Sequence, residues 1–186
     1  MVEASIALRG WTTYRQFYSS TTILYDEGTA GSPSISIHDA SSSVTFLHVL
    51  QGRYTTFLQI ASSGVHPAIG QVGTIPANAQ SVRFFANGAI SVSFGGQPLP
   101  VTALETTPNY TIYGADVSAF AGQTRELLFQ PEYPAFLGYY NYGSSLDNIF
   151  FSPEPVPEPG TVALFTLGVL VLLGVRRIGT KAGYPR

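Results

Sequence analysis

Residues 81–94 read Ser81-Val82-Arg83-Phe84-Phe85-Ala86-Asn87-Gly88-Ala89-Ile90-Ser91-Val92-Ser93-Phe94, and their pattern decides the fold class. Ile90, Val92 and Phe94 alternate with Ser91 and Ser93, the period of a strand with one face buried. Asn87-Gly88 suits a type I′ turn, whose two central residues both need positive φ. The stretch therefore predicts two strands joined as a hairpin.

The same style continues on both sides. Val44 to Leu50 and Tyr54 to Ile60 are rich in β-branched and aromatic residues, and Gln51-Gly52-Arg53 between them predicts a second hairpin. Downstream, Gly95-Gly96-Gln97-Pro98 is a turn before a strand at Leu99 to Leu104. Strands are expected at Tyr110 to Tyr113, Glu126 to Gln130 and Ser145 to Phe151. Asp116 to Gly122 predicts one helical turn, with Asp116 as cap and Gly122 as stop. His66-Pro67 reads as loop. No long amphipathic helix occurs before residue 160. Strands at 8–12-residue spacing predict an all-β domain, an antiparallel β-sandwich of jelly-roll type, over residues 1–152.

Composition narrows the function classes. Residues 1–155 carry 10 acids and 5 bases, a net charge of −5, and the single lysine of the chain lies beyond them. An acidic domain without a basic patch argues against nucleic acid as a partner, which needs Lys and Arg at phosphates. Cysteine is absent, so thiol nucleophiles, thiolate metal sites and disulfides are excluded.

Catalytic patterns are sparse. His38-Asp39 adjoins Ser41 to Ser43, yet no G-x-S-x-G elbow accompanies them. His48 sits in an apolar strand and reads as structural. Asp26-Glu27-Gly28 reads as a turn and Glu126 and Glu132 as solvated edges, leaving no carboxylate pair that announces a glycosidase. No nucleotide-binding glycine motif and no EF-hand loop occurs. We read the chain as non-enzymatic, with no catalytic residue and no metal site. Two features could serve binding. Tyr139, Tyr140 and Tyr142 form a tyrosine-rich loop whose rings could stack on sugars; Trp11, Tyr14, Phe17 and Tyr18 form a second aromatic group, and in both cases packing at the core rim is the favoured reading. Asp147 and Asn148 could ligate a structural Ca²⁺ or close a turn, and the turn is favoured.

The C-terminal stretch 156–186 reads differently. Pro153 to Pro159 is a proline-rich linker, expected to be stiff and extended and to lift the sandwich off a membrane. Gly160 to Val175 follows with 16 residues and no charge. As a helix this run is roughly 24 Å long, a little short of the ~30 Å hydrocarbon core, and snorkelling of Arg176 and Arg177 closes the gap. Pro157 and Pro159 fix the helix start at about Gly160, because proline cannot sit mid-helix. Arg176, Arg177, Lys181 and Arg186 form a basic tail, 176–186, on the cytoplasmic side.

Pro157-Glu158-Pro159, the apolar run and Arg176-Arg177, in that order, resemble the PEP-CTERM protein-sorting domain, also described as an ice-binding-protein C-terminal domain. The resemblance covers about 30 of 186 residues. It implies a Gram-negative bacterium, passage through the membrane to the cell envelope, and an exosortase, a membrane cysteine transpeptidase, as partner. It implies nothing about activity. Such proteins begin with a secretory signal, which Met1 to Phe17 lacks, so the natural start is expected upstream. Residues 81–151 are also similar in pattern to the jelly-roll ectodomains that carry such tails, of concanavalin-like or galactose-binding-like type. An ice-binding role would need a flat Thr-rich face, which the pattern does not contain. The expectation is a non-enzymatic protein sorted to the surface or the exopolysaccharide layer, or alternatively a carbohydrate-binding module.

Overall fold

A computed structural model describes residues 1–15, 18–29, 32–42, 49–61, 64–132 and 143–157. The chain divides into two units, Met1–Val156 and Pro157–Arg186, so the first extends four residues past the boundary expected at 152. The expected membrane helix, Gly160 to Val175, and the basic residues Arg176 and Arg177 lie outside the described residues, as do Glu158, Pro159 and the tyrosines Tyr139, Tyr140 and Tyr142.

The first unit is all-β. An eight-stranded sheet contains β1 (Val2–Glu3), β4 (Thr22–Tyr25), β5 (Ser34–Asp39), β6 (Tyr54–Gln59), β8 (Ser81–Asn87), β11 (Val101–Thr106), β12 (Thr111–Asp116) and β14 (Gly143–Ser152). A six-stranded sheet contains β2 (Thr12–Arg15), β3 (Tyr18–Ser20), β7 (Pro67–Thr74), β9 (Ile90–Phe94), β10 (Gln97–Leu99) and β13 (Thr124–Pro131). The strand orders are β1-β4-β5-β6-β14-β8-β12-β11 and β10-β9-β13-β7-β2-β3. Pairing is antiparallel except between β4 and β5, where Leu24 and Tyr25 lie parallel to Ser36 and Ile37. From β6 to β9 successive strands alternate between the sheets, an order compatible with the expected jelly roll.

The apolar residues of both sheets form one core. Phe84 of β8 meets Phe129 of β13 edge-on, with ring centroids 5.2 Å apart, and both rings are fully buried. This geometry suits the ring quadrupoles, and burying each ring contributes about 2–3 kcal/mol. Phe129 also touches Trp11 at 6.0 Å, which fastens the N-terminal segment to the same core.

The hairpin read across Asn87-Gly88 is not formed. β8 pairs with β12 and β14, whereas β9 pairs with β10 and β13 in the other sheet. Only Gly88 takes positive φ, at 106°, and Asn87 does not, so the type I′ condition fails. The glycine instead turns the chain across the core edge, and both strands bury their apolar faces toward each other. The two-residue hairpin lies one strand later: Gly95 and Gly96 both have positive φ, 58° and 81°, and Phe94 faces Gln97 across them. The alternation of β9 is as expected, with Ile90, Val92 and Phe94 buried.

Other expectations shift for similar reasons. The strand read at Leu99 to Leu104 is two strands, β10 and β11, in different sheets. Pro100 lies between them, where its missing N–H breaks no ladder. The place beside β6 assigned to 44–50 is held by β5 along its whole length, and residues 43–48 lie outside the described residues. Pro67, read with His66 as loop, opens the strand Pro67–Thr74 that lies between β13 and β2. The turn at Ser118–Phe120 is 3₁₀; the Asp116 carboxylate accepts the Ser118 N–H at 2.8 Å, and Gly122 stops the turn at φ 79°.

Candidate functional site

Two places on the first unit concentrate features that packing alone does not require. The first is a break in β14. Opposite β8, Asp147 faces Phe85 and Phe150 faces Arg83, so β14 carries one extra residue. Asn148 sits in this bulge at φ 47°, a conformation rare for residues other than glycine. The extra residue changes which side chains face inward. Leu146 is buried before it, Ile149 and Phe151 pack on the core after it, and Phe150 turns outward at 40% exposure.

Asp147 holds the bulge together. Its Oδ1 accepts the Asn148 N–H at 2.8 Å, while Oδ2 accepts the Thr55 hydroxyl at 2.8 Å and the Gln51 N–H at 3.3 Å. Asp147-Asn148, favoured as a turn, instead lies inside β14, where it forms the bulge. A cavity of about 260 Å³ opens beside the bulge, lined among others by Trp11, Tyr54, Thr55, Asp147 and Asn148, with Ile69 below. Its walls come from β5, β6, β7, β14 and the segment from Ala7 to Trp11. Gly10, at φ 84°, turns the chain into Trp11, whose N–H bonds to Leu8 O at 3.0 Å. Gly52, at φ 68°, leads into Tyr54, over whose ring the Arg53 guanidinium sits at 5.1 Å.

The second place is the start of the linker, which is docked on the sheet along 153–156. Gln80 N–H bonds to Ser152 O at 2.8 Å, Glu154 N–H to Ser152 Oγ at 3.1 Å, and Ser81 Oγ–H to Glu154 O at 2.7 Å. Arg83 Nη2 lies 2.9 Å from Glu154 Oε2. Val156 rests against Gly114 of β12; a Cβ there would come within 3.1 Å of Val156 and 2.9 Å of Leu104. The spacer expected at 153–157 is therefore laid on the sandwich at least as far as Val156. The missing signal was Gly114, which offers a groove only because β12 lies beside β11. Pro157 is exposed.

The remaining candidates resolve as follows. His38 is 1% exposed on β5, and its Nδ1 lies 3.4 Å from Ser42 Oγ and 3.6 Å from Asp26 Oδ1. Both neighbours fall on one ring nitrogen, while Nε2 is buried with no hydrogen-bond partner among the described residues. A relay needs the hydroxyl and the carboxylate on opposite nitrogens. Burial pushes the His38 pKa below 6.5, against the opposing pull of Asp26 and Asp39. Asp39 is held low, at about 2, by bonds from Ser41 and Tyr25, and the Tyr25 hydroxyl is raised to about 12 by that same carboxylate. His66 Nδ1 lies 2.6 Å from Pro131 O, and His48 is outside the described residues.

Glu126 is half-buried rather than a solvated edge. Tyr14 O–H donates to its Oε1 across β7, where Gly70 leaves the space, and this raises the Tyr14 pKa. Among the described residues no three His, Asp or Glu side chains gather as a metal-binding group. No helix among them is long and apolar enough to cross a membrane.

No curated protein matches the chain. Crystal structures of an apo-form cyclase from Fischerella sp. and of a cyclase from Fischerella sp. TAU are similar at 14% and 12% identity. Each has a TM-score of 0.40 over 81% of this chain, covering 85% and 87% of theirs respectively, a likeness that says nothing of activity. Residues 155–177 match the PEP-CTERM protein-sorting motif, whose first two residues are Pro155 and the docked Val156. This chain therefore carries a PEP-CTERM protein-sorting motif over residues 155–177, the mark of a cell-envelope sorted protein.

Proposed function

We propose that the chain is an exported surface protein without enzymatic activity, sorted by an exosortase-type transpeptidase and delivered to the exopolysaccharide layer. The observation that carries this reading is the sorting motif at 155–177. In it, Pro157, Glu158 and Pro159 are the recognition triplet, Gly160 to Val175 spans the inner membrane, and Arg176 and Arg177 stop the span on the cytoplasmic side. The domain ahead of it is then the cargo. Its net charge of −5 and its lack of cysteine suit a polysaccharide-rich exterior. The arrangement of Ser42 and Asp26 on one nitrogen of His38 supports a non-enzymatic role.

Intact mass and cell fractionation test the proposal, using the full chain behind a secretory signal in an exosortase-bearing Gram-negative host and in the same host without the enzyme. The expected result is a product truncated within 155–177 in the envelope or medium, and an unprocessed membrane form in the deletion host. A full-length chain in both hosts, or one confined to the cytosol, overturns it.

A further inference from the structure

The cavity at the β14 bulge has the chemistry of a ligand site that the sorting motif does not explain. About 260 Å³ is slightly below the ~300–1,000 Å³ typical of sites for drug-sized molecules, which suits one small ring. Its aromatic walls, Trp11 and Tyr54, each pair an apolar face with a polar tip. Among the described residues no partner bonds the Trp11 indole N–H, the Tyr54 hydroxyl or the Asn148 side-chain amide, and all three residues line this cavity. Asn148 is also held at φ 47°, a left-handed conformation that asparagine tolerates better than most side chains, at the bulge that borders the cavity. The larger cavity beside it, about 490 Å³, offers less: the hydroxyls of Thr13 and Ser20 are already given to the backbone carbonyls of Ser20 and Thr22.

Charge selects the ligand class. The one charged side chain in the lining is the Asp147 carboxylate, and the domain is net acidic, which disfavours an anion. A divalent cation would need six or more oxygen ligands, and Asp147 already accepts three hydrogen bonds. A neutral polyhydroxylated ring satisfies the remaining groups: its C–H face covers an aromatic ring, and its hydroxyls meet an indole donor, a phenol, an amide and a carboxylate. We propose that this cleft, walled by Trp11, Tyr54, Asp147 and Asn148, binds a neutral pyranose unit of a polysaccharide. The inference stands apart from the sorting reading, since binding by purified protein does not depend on processing.

Trp11 is the single tryptophan of the chain, so its emission reports on the cleft directly. The test titrates the purified full chain, in a detergent without a sugar headgroup, with the methyl pyranosides of glucose, galactose and mannose. Methyl glucuronide and Ca²⁺ serve as separate probes. At least one neutral glycoside should give a saturable emission change with a midpoint of order 1–10 mM, the range of a small, shallow site. Asn148→Gly keeps a backbone suited to positive φ but removes the amide. It should raise that midpoint roughly two- to tenfold, as loss of one hydrogen bond does, with the ligand-free spectrum unchanged. Saturation by none of the neutral glycosides, by glucuronide or Ca²⁺ alone, or equally in the variant would overturn the proposal.

Discussion

Asn87-Gly88 and Gly95-Gly96 lie eight residues apart and both carry the sequence of a two-residue hairpin turn, yet the chain uses them in opposite ways. At Gly95-Gly96 it folds back within one sheet, with Phe94 beside Gln97. At Gly88 it leaves one sheet for the other. A turn dipeptide states that the chain can reverse direction. It does not state whether the next strand pairs with the last one or lies over it. That choice follows from the faces: β8 and β9 both carry large apolar side chains, and facing one another across the core buries both sets.

The largest way to break this comparison is to remove what the two sheets share. Phe129→Ala deletes the ring that meets Phe84 and Trp11, and should cost about 3–5 kcal/mol in urea unfolding. A cost under about 1 kcal/mol would mean that the sheets are not held by this core. Next are the turns themselves. At Gly88, φ of 106° lies outside the range asparagine or alanine adopts, and a Cβ would sit 2.5 Å from Ser144 Oγ. Gly88→Ala should therefore cost at least about 1–3 kcal/mol. Gly96 has φ of 81° and open space around its Cβ position, so Gly96→Asn meets only the backbone cost and should destabilise by about 1 kcal/mol or less. Equal effects at the two sites would erase the distinction between crossing and hairpin.

The contrast between local signal and tertiary placement extends to His38, which stands beside Asp39 and a serine run in the sequence and is buried in the fold. Its pKa is lowered on folding, so the unfolded chain binds the proton more readily. Stability is then full above about 6.5 and falls as the pH drops below that value toward the folded pKa. Thermal unfolding of His38→Gln against the parent over pH 4–8 checks this; a variant with an unchanged pH slope would refute it. The smallest effect belongs to the docked linker. Arg83→Ala removes one exposed ion pair to Glu154, worth about 0–1 kcal/mol, so global stability should hardly move. Hydrogen exchange at the Glu154 amide should nonetheless quicken, and unchanged exchange would show that Ser81 and Val156 hold the linker without it.

The strands that the sequence made legible are those whose pattern is local. β9 alternates cleanly, β13 and β14 carry the short apolar runs Leu127-Leu128-Phe129 and Ile149-Phe150-Phe151, and the turn at Ser118–Phe120 has its acid and its glycine at the right spacing. β7 was hidden because Pro67 reads as loop and Gly70 and Gly73 interrupt the apolar alternation that marks a strand. Gly70 is there to leave room for the Tyr14–Glu126 pair, which becomes visible only when β2 and β13 flank it. The cleft was half visible: Asp147-Asn148 and Trp11 each stood out, but they are about 136 residues apart, and no spacing rule joins them.

Composition, the alternation of β9 and the order of Pro157-Glu158-Pro159, apolar run and arginines were enough to give an all-β domain followed by a sorting motif, because each is written in contiguous residues. Which strands pair, where β14 bulges, which residues gather at Trp11 and how the linker lies on Gly114 were decided only in the folded chain. Those features depend on contacts between distant segments, and their energies come from burying two sheets against one another rather than from any local preference.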